Sequence, residues 1–518
     1  MKQSGEDIRE RFCEVLQLYN NAIKGNKVEE AYHYILLLCQ STNFKHTVLT
    51  NNLFNTLAQL QRYEDAYTYA KNICSDFLEK GNLNQILYNY QTLMFFKKKL
   101  SNPPHDTLQR QIKAYLYEQA SHLKKKYNLF PQAQYDGHKK INIGHIIGLV
   151  SPGHAPTKML LNELWNIDHT QFSMHIFTSE WATNWLFSAQ KPEQLQSHYD
   201  DLNDMIQRQL KTKLFIPDIS NDFLTRCIHM CKNILQNEID ILVVNATDAE
   251  AITLMVAMIK PAPYMLNAVH GGPMLVDNFD GIIQLQKDDF IHDTQIPQHY
   301  IAITSDIQFD PSDVSEPLAK HAFEELNRIK EKYILTGTFG SLFKVDNEQY
   351  IHTIGTFLQE HPNVFHVFIG WGNSDELRKK FERYSVTDRI KHFRFQKNIK
   401  PFMEILDVYL ASFPYPGHTC ELECMALGKP VVSMAWTEGH HFNSGARIVG
   451  LSECIAPQND CVRYKQIAHA FITDSILQKE IGTKLCERFN KEFSPLVRTQ
   501  KIEGLYKHLM TTKSKVKG

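Results

Sequence analysis

From residue 140 onward the chain alternates short apolar strands with amphipathic helices, and it does so twice. The first series offers strands at 141–150 (INIGHIIGLV), 172–178, 239–245, 265–269, 281–285 and 300–303. A polar stretch carrying Pro311 and Pro317 then reads as a linker. The second series offers strands at 333–339, 364–370, 390–395, 407–412 and 430–434. Strands that alternate with helices pair in parallel and are covered by helices on both faces. Two such series predict an α/β chain with two Rossmann-like domains facing a cleft, with ligands bound outside the carboxyl ends of the strands.

The residues before this pattern read as all helix. Phe12, Val15, Leu16, Tyr19 and Ile23 recur at helical spacing. The segment GNKVEEAY at 25–32 is echoed by LQRYEDAY at 60–67, with Ala31 and Ala66 35 residues apart. That is near the tetratricopeptide period of about 34 residues, although a solenoid needs about three units and two are legible. Asn102-Pro103-Pro104 marks a turn within the region. The expected domains are an all-helical, tetratricopeptide-like domain at 1–138, a Rossmann-like acceptor-side domain at 139–315, and a second Rossmann-like domain at 316–518 closing on a C-terminal helix.

Composition narrows the functional classes. A formal net charge of −1 argues against a general nucleic-acid binder, which carries a basic excess. No apolar run approaches the roughly 18 residues that span a bilayer. The opening residues, MKQSGEDIRE, lack the apolar core of a secretory signal, so a cytoplasmic protein with reduced thiols is expected. The ten cysteines contain no C-x-x-C pair. Cys227/Cys231 and Cys420/Cys424 are spaced by four, but no second pair with zinc-finger spacing follows, so no metal site is expected.

The segment 407–430, DVYLASFPYPGHTCELECMALGKP, carries the most chemistry. A strand ends in a Pro/Gly turn that opens directly into a helix, with Thr419 as the expected N-cap. Unpaired amides at the positive end of a helix dipole form a site for phosphate. Glu423 lies about one turn further in, where a carboxylate can accept the hydroxyls of a ribose; the alternative is that it caps the helix. The segment Gly337-Thr338-Phe339-Gly340-Ser341-Leu342-Phe343-Lys344 also passes from strand to helix. A cation near a helix N-terminus is mildly unfavourable, and a bound anion removes the objection; the alternative is a solvated lysine. His154 and His270 each follow a strand of the first series, on the side where ligands bind, although most of the 24 histidines must be surface or core. No two aspartates stand two apart, so the D-x-D pattern that holds a divalent metal on a sugar diphosphate is absent. A leaving diphosphate would then be neutralised by Lys344, helix-terminal amides and histidine.

These residues resemble the catalytic region of protein O-linked N-acetylglucosamine transferase and of the bacterial cytoplasmic adhesin N-glucosyltransferases. The family pattern Gly-His-Thr-Thr-x-x-Asp appears as Gly417-His418-Thr419-Cys420-Glu421-Leu422-Glu423, followed by Gly428-Lys429-Pro430-Val431-Val432. Its Phe-Asn-x-x-x-Lys-Ile appears as Phe339-Gly340-Ser341-Leu342-Phe343-Lys344-Val345. Ser151-Pro152-Gly153-His154, Lys260-Pro261-Ala262-Pro263, His270 and Glu438-Gly439-His440-His441 also resemble family segments, so that the likeness runs over about 140–510. Ser341 replaces a glutamine, Cys420 a threonine and Glu423 an aspartate. The resemblance implies a GT-B arrangement and an inverting transfer of a hexose or N-acetylhexosamine from a UDP-sugar, without metal or cofactor, to a protein or peptide acceptor through Asn or Ser/Thr. Lys344, Ser341, Gly417, His418, Thr419, Cys420 and Glu423 would bind the donor. His154 or His270, with Lys344, would serve the chemistry. A UDP-sugar epimerase-like enzyme, and a non-catalytic scaffold with a degenerate sugar-nucleotide site, are the competing readings.

Overall fold

The computed structural model describes residues 5–42, 44, 47–100, 107–131, 139–148, 150, 155–179, 206, 212–216, 221–247, 250–269, 274, 276–285, 294–305, 317–394, 396, 399–436 and 445–512. The chain opens with helices α1 (Gly5–Lys24), α2 (Val28–Ser41), α3 (Thr47–Gln59), α4 (Tyr63–Glu79), α5 (Leu83–Lys99) and α6 (Thr107–Lys126). There follow β1 (Ile141–Ile147), α7 (Ala155–Asn166), β2 (Phe172–Thr178), β3 (Lys213–Phe215), α8 (Phe223–Gln236), β4 (Ile241–Asn245), α9 (Ala251–Ile259), β5 (Tyr264–Ala268), β6 (Gly281–Gln284) and β7 (Gln298–Tyr300). The remainder comprises α10 (Pro317–Lys330), β8 (Ile334–Phe339), α11 (Glu348–Glu360), β9 (Val364–Ile369), α12 (Ser374–Phe381), β10 (Ile390–Phe393), α13 (Lys400–Glu404), β11 (Val408–Leu410) and α14 (His418–Ala426). It closes with β12 (Val431–Met434), β13 (Ile455–Ala456), α15 (Cys461–Thr473), α16 (Ser475–Glu492) and α17 (Pro495–Thr512).

Two compact units result, one of Met1–Leu149 with Thr170–Ile282, the other of Val150–His169 with Ile283–Gly518. In the first, the echo between 25–32 and 60–67 has a structural counterpart. The buried faces of α2 and α4 match position for position: Ala31 with Ala66, Tyr32 with Tyr67, Cys39 with Cys74. Ion pairs at the two helix starts match as well, Lys27–Glu30 and Arg62–Asp65. The preceding helices end alike. Asn26 and Gln61 take left-handed backbone, with φ 55° and 56°. The next amides, of Lys27 and Arg62, reach back to Ala22 O and Leu57 O. This is the Schellman closure, which satisfies carbonyls a helix end would otherwise strand. Gly81 closes α4 in the same way, its successor Asn82 bonding Phe77 O.

The first sheet is ordered β3-β2-β1-β4-β5-β6-β7, with β1 parallel to both β2 and β4. The second is ordered β10-β9-β8-β11-β12-β13, again parallel. Counted from β8, the second order is 3-2-1-4-5-6, the doubly wound arrangement. Its central strands are buried on both faces: Leu335, Val367, Phe368, Val408 and Leu410 are all fully buried. Each such side chain contributes about 1.5–3 kcal/mol relative to exposure. Winding reverses between β8 and β11, and the loops after those two strands therefore border the same crevice.

Most expected strands are present with ends shifted by one to three residues. The strand expected at 300–303 lies at Gln298–Tyr300, though Ile301 and Ile303 still bond Gln284 O and Leu285 O. β3 and β13, of three and two residues, are too short for apolar alternation to mark them. Pro317 belongs to no linker: it opens α10, where its missing amide is one the helix would leave unpaired. Asn102-Pro103-Pro104, Pro311 and Glu438-Gly439-His440-His441 lie outside the described residues.

Candidate functional site

Inside the second unit, the loops after β8 and β11 enclose a cavity of about 220 Å³. Ser341, Lys344, Gly417, Thr419, Cys420 and Glu423 all line it. After β8, Leu342 and Val345 anchor a short 3-10 turn in the core, while Lys344 is half-buried. Its ammonium donates to the Pro416 carbonyl at 3.1 Å, tying one loop to the other.

After β11, Gly417 rather than Thr419 is the N-cap of α14, with no side-chain cap. The Pro/Gly turn already positions the chain for helix, so the expected threonine cap falls inside the first turn. The first amide-to-carbonyl bond is Glu421 N–H to Gly417 O, so the Thr419 and Cys420 amides stand outside the helical ladder. Such amides at a positive helix terminus favour an anion. A side chain at Gly417 would meet the Tyr409 hydroxyl at 3.2 Å, so glycine keeps this turn close to β8 and β11.

Glu423 is 1% exposed, yet it caps nothing. Its Oε1 accepts from Ser305 Oγ at 2.7 Å and from Lys158 Nζ at 3.1 Å. The Cys420 thiol is pushed up to about 12, mainly by burial and then by the neighbouring Glu423 carboxylate. It therefore presents a neutral S–H at pH 7 and is a poor nucleophile. His418 opens α14, half-buried, and is not part of the cavity lining. His154 and His270 lie outside the described residues. Among the described residues no group of three His, Cys, Asp or Glu side chains could hold a metal ion.

Sequence reasoning missed four residues here. Lys158, Trp371 and Gln396 line the cavity, and Ser305 holds Glu423. Trp371 had a signal: it stands between two glycines just after a strand. A side chain at Gly370 would come within 1.8 Å of Gly340 O, and one at Gly372 within 2.4 Å of Leu342 Cβ. The glycines thus let the two loops lie against each other, joined by Leu342 N–H to Trp371 O at 2.7 Å. Lys158 and Ser305 carried no local signal.

No family model matches the chain. No curated protein matches it either. Solved structures do. An O-GlcNAc transferase mutant from Thermobaculum terrenum aligns over 98% of both chains, with TM-score 0.53 and 14% identity. Sucrose-phosphate synthase from Thermosynechococcus elongatus aligns over 71% of this chain and 99% of its own, with TM-score 0.54 and 13% identity. Anabaena Alr3699/HepE, in complex with UDP and glucose, aligns over 71% of this chain and 100% of its own, with TM-score 0.51 and 15% identity. The fold is GT-B. Within a GT-B chain the 3-2-1-4-5-6 sheet and the loops at its reversal supply the cavity just described. The alignment over 98% of the chain takes in the N-terminal helices as well.

Proposed function

We propose that this GT-B chain is a glycosyltransferase that moves a hexose or N-acetylhexosamine from a UDP-sugar to an Asn or Ser/Thr side chain of a protein acceptor. One observation carries the reading: a lysine, a helix N-terminus and a buried carboxylate line one cavity at the reversal point of a doubly wound sheet. Lys344 and the first turn of α14, with Thr419 and the backbone of His418, would hold the diphosphate. Glu423 would hold the ribose, and Ser341 would contact the donor. The sugar–oxygen bond then breaks toward a preorganised cation and amides, which stabilise charge as it builds on the β-phosphate. His154 or His270 would take the acceptor proton, which requires an approach of about 3 Å. Inversion, metal independence and membership of the O-GlcNAc transferase and adhesin N-glucosyltransferase family rest on the sequence resemblance.

The test is a donor screen. The protein is incubated with individual UDP-sugars and a cell lysate, UDP release is followed, and acceptors are found by the mass added per transferred sugar. Release of UDP coupled to a hexose or N-acetylhexosamine mass shift on protein is expected. UDP binding without transfer to any acceptor would sink the transferase reading. Conversion of the sugar without transfer would favour an epimerase.

A further inference from the structure

We infer that Lys158 and Ser305 are positioning residues of a ribose subsite, clamping Glu423 so that one carboxylate oxygen alone is offered to the nucleoside hydroxyls. The inference rests on the nucleotide reading of this cavity. Both donors meet Oε1, from Ser305 at 2.7 Å and Lys158 at 3.1 Å. Oε2 has no partner among the described residues, on a side chain that lines the cavity. A carboxylate buried to this degree is strongly unfavourable unless paired and hydrogen-bonded. Clamping it by one oxygen meets that demand and leaves the other to accept from a ligand.

The clamp has a rigid base. Lys158 stands on the first turn of α7, whose Glu163 accepts from the buried Tyr506 hydroxyl at 2.8 Å. Just past the end of α7, the Asp168 amide donates to Glu503 at 2.8 Å. Both partners belong to α17, so the lysine is carried on a helix fixed at two points. A glutamate has one more rotatable bond than an aspartate, and fixing it before the ligand arrives removes an ordering penalty from binding. The two lysines of the cavity then divide the work. Lys158 forms an ion pair with Glu423, whereas Lys344 donates to the Pro416 carbonyl and has no carboxylate partner among the described residues, which suits it to an anion.

The experiment is calorimetric titration of the full chain with UDP, 2′,3′-dideoxy-UDP and UMP. The proteins are wild type, Lys158→Met, Lys158→Arg and Ser305→Ala. Wild type should prefer UDP over the dideoxy analogue by about tenfold or more, the scale of hydrogen bonds to a charged group. Lys158→Met should shrink that preference to about twofold, leave the UDP-to-UMP ratio unchanged, and be partly rescued by arginine. Ser305→Ala, the milder change, should shrink it in the same direction. A simple loss of packing would weaken all three ligands alike and leave the preference intact, which overturns the inference. So does a fall in the UDP-to-UMP ratio, which would make Lys158 a diphosphate cation. Wild type with no affinity for UDP would remove the nucleotide reading itself. Wild-type binding with an unaltered preference in the variants removes only the clamp.

Discussion

Lys344 joins two loops through one hydrogen bond to the Pro416 carbonyl, and this sets what its removal should do. Lys344→Ala should reduce stability by about 1 kcal/mol, the net value of an ordinary hydrogen bond. Turnover should fall by about 10²–10³, the range for losing one preorganised donor to a developing oxyanion. Lys344→Arg should rescue only in part, because a planar fork presents its donors differently from an ammonium. Melting temperature and single-turnover rate for the three proteins check this, and near-full turnover in the alanine variant would remove Lys344 from the site. Glu423 needs a gentler substitution, because alanine would leave Lys158 without its buried partner. Glu423→Gln keeps an acceptor for Ser305 while losing the charge. UDP affinity should fall about tenfold or more, for a charged hydrogen bond worth roughly 1.5–3 kcal/mol. Calorimetry with UDP decides; unchanged affinity would take the ribose role away from this residue.

At the scale of elements, β8, β9 and α11 are joined by a polar network inside an apolar core. His366 is fully buried, with its ring nitrogens 2.8 Å from Thr336 Oγ1 and 3.3 Å from Thr338 Oγ1. Thr338 Oγ1 in turn lies 2.6 Å from the Tyr350 hydroxyl. Burial lowers the His366 pKa to about 3. Below about pH 6.5 the unfolded chain takes up a proton that the folded one refuses until about pH 3. Stability should therefore fall with pH across that window, by up to about 1.4 kcal/mol per unit from this group. His366→Gln, which cannot titrate, should show a shallower decline in urea midpoint between pH 7 and pH 5. Parallel profiles for the two proteins would mean that His366 does not titrate differently on folding. The loops after β8 and β9 offer a second test. Gly370→Ala would bring a methyl within 1.8 Å of Gly340 O and force the loops apart. Nucleotide affinity should drop although residue 370 carries no polar side chain, and retained wild-type affinity would show that the loops yield without disturbing the cavity.

For the whole molecule, the chain carries almost no net charge and no D-x-D pattern, so under the proposed function neutralisation of a leaving diphosphate would fall to local cations and amides. Turnover should survive excess EDTA after exhaustive dialysis; complete loss, restored by magnesium or manganese, would mean that a metal shares the charge. The N-terminal helices were legible as a region and in part as a repeat. Ala31, Tyr32 and Cys39 recur as Ala66, Tyr67 and Cys74, and a helix can bury only the stripe its spacing defines. What closes each helix, the left-handed Asn26 and Gln61, was not legible, because neither residue type demands that conformation.

Local pattern determined a good deal on its own. Alternating strands and helices implied two parallel α/β domains, since that alternation leaves few other ways to bury both faces of a sheet. The Pro/Gly turn before α14 and the glycines after β8 marked the loops that can approach a phosphate, because those residues act on the backbone they occupy. Tertiary structure decided which of these loops meet. Strand order set β8 beside β11, and so brought Lys344 to Pro416 across 72 residues. It also brought Ser305 and Lys158 to Glu423 across 118 and 265 residues. No periodicity spans such distances. A lysine on a helix or a serine in a loop reads the same whether it faces water or a buried carboxylate, and only the packing of α7 against α17 and the reversal of the sheet distinguish the two.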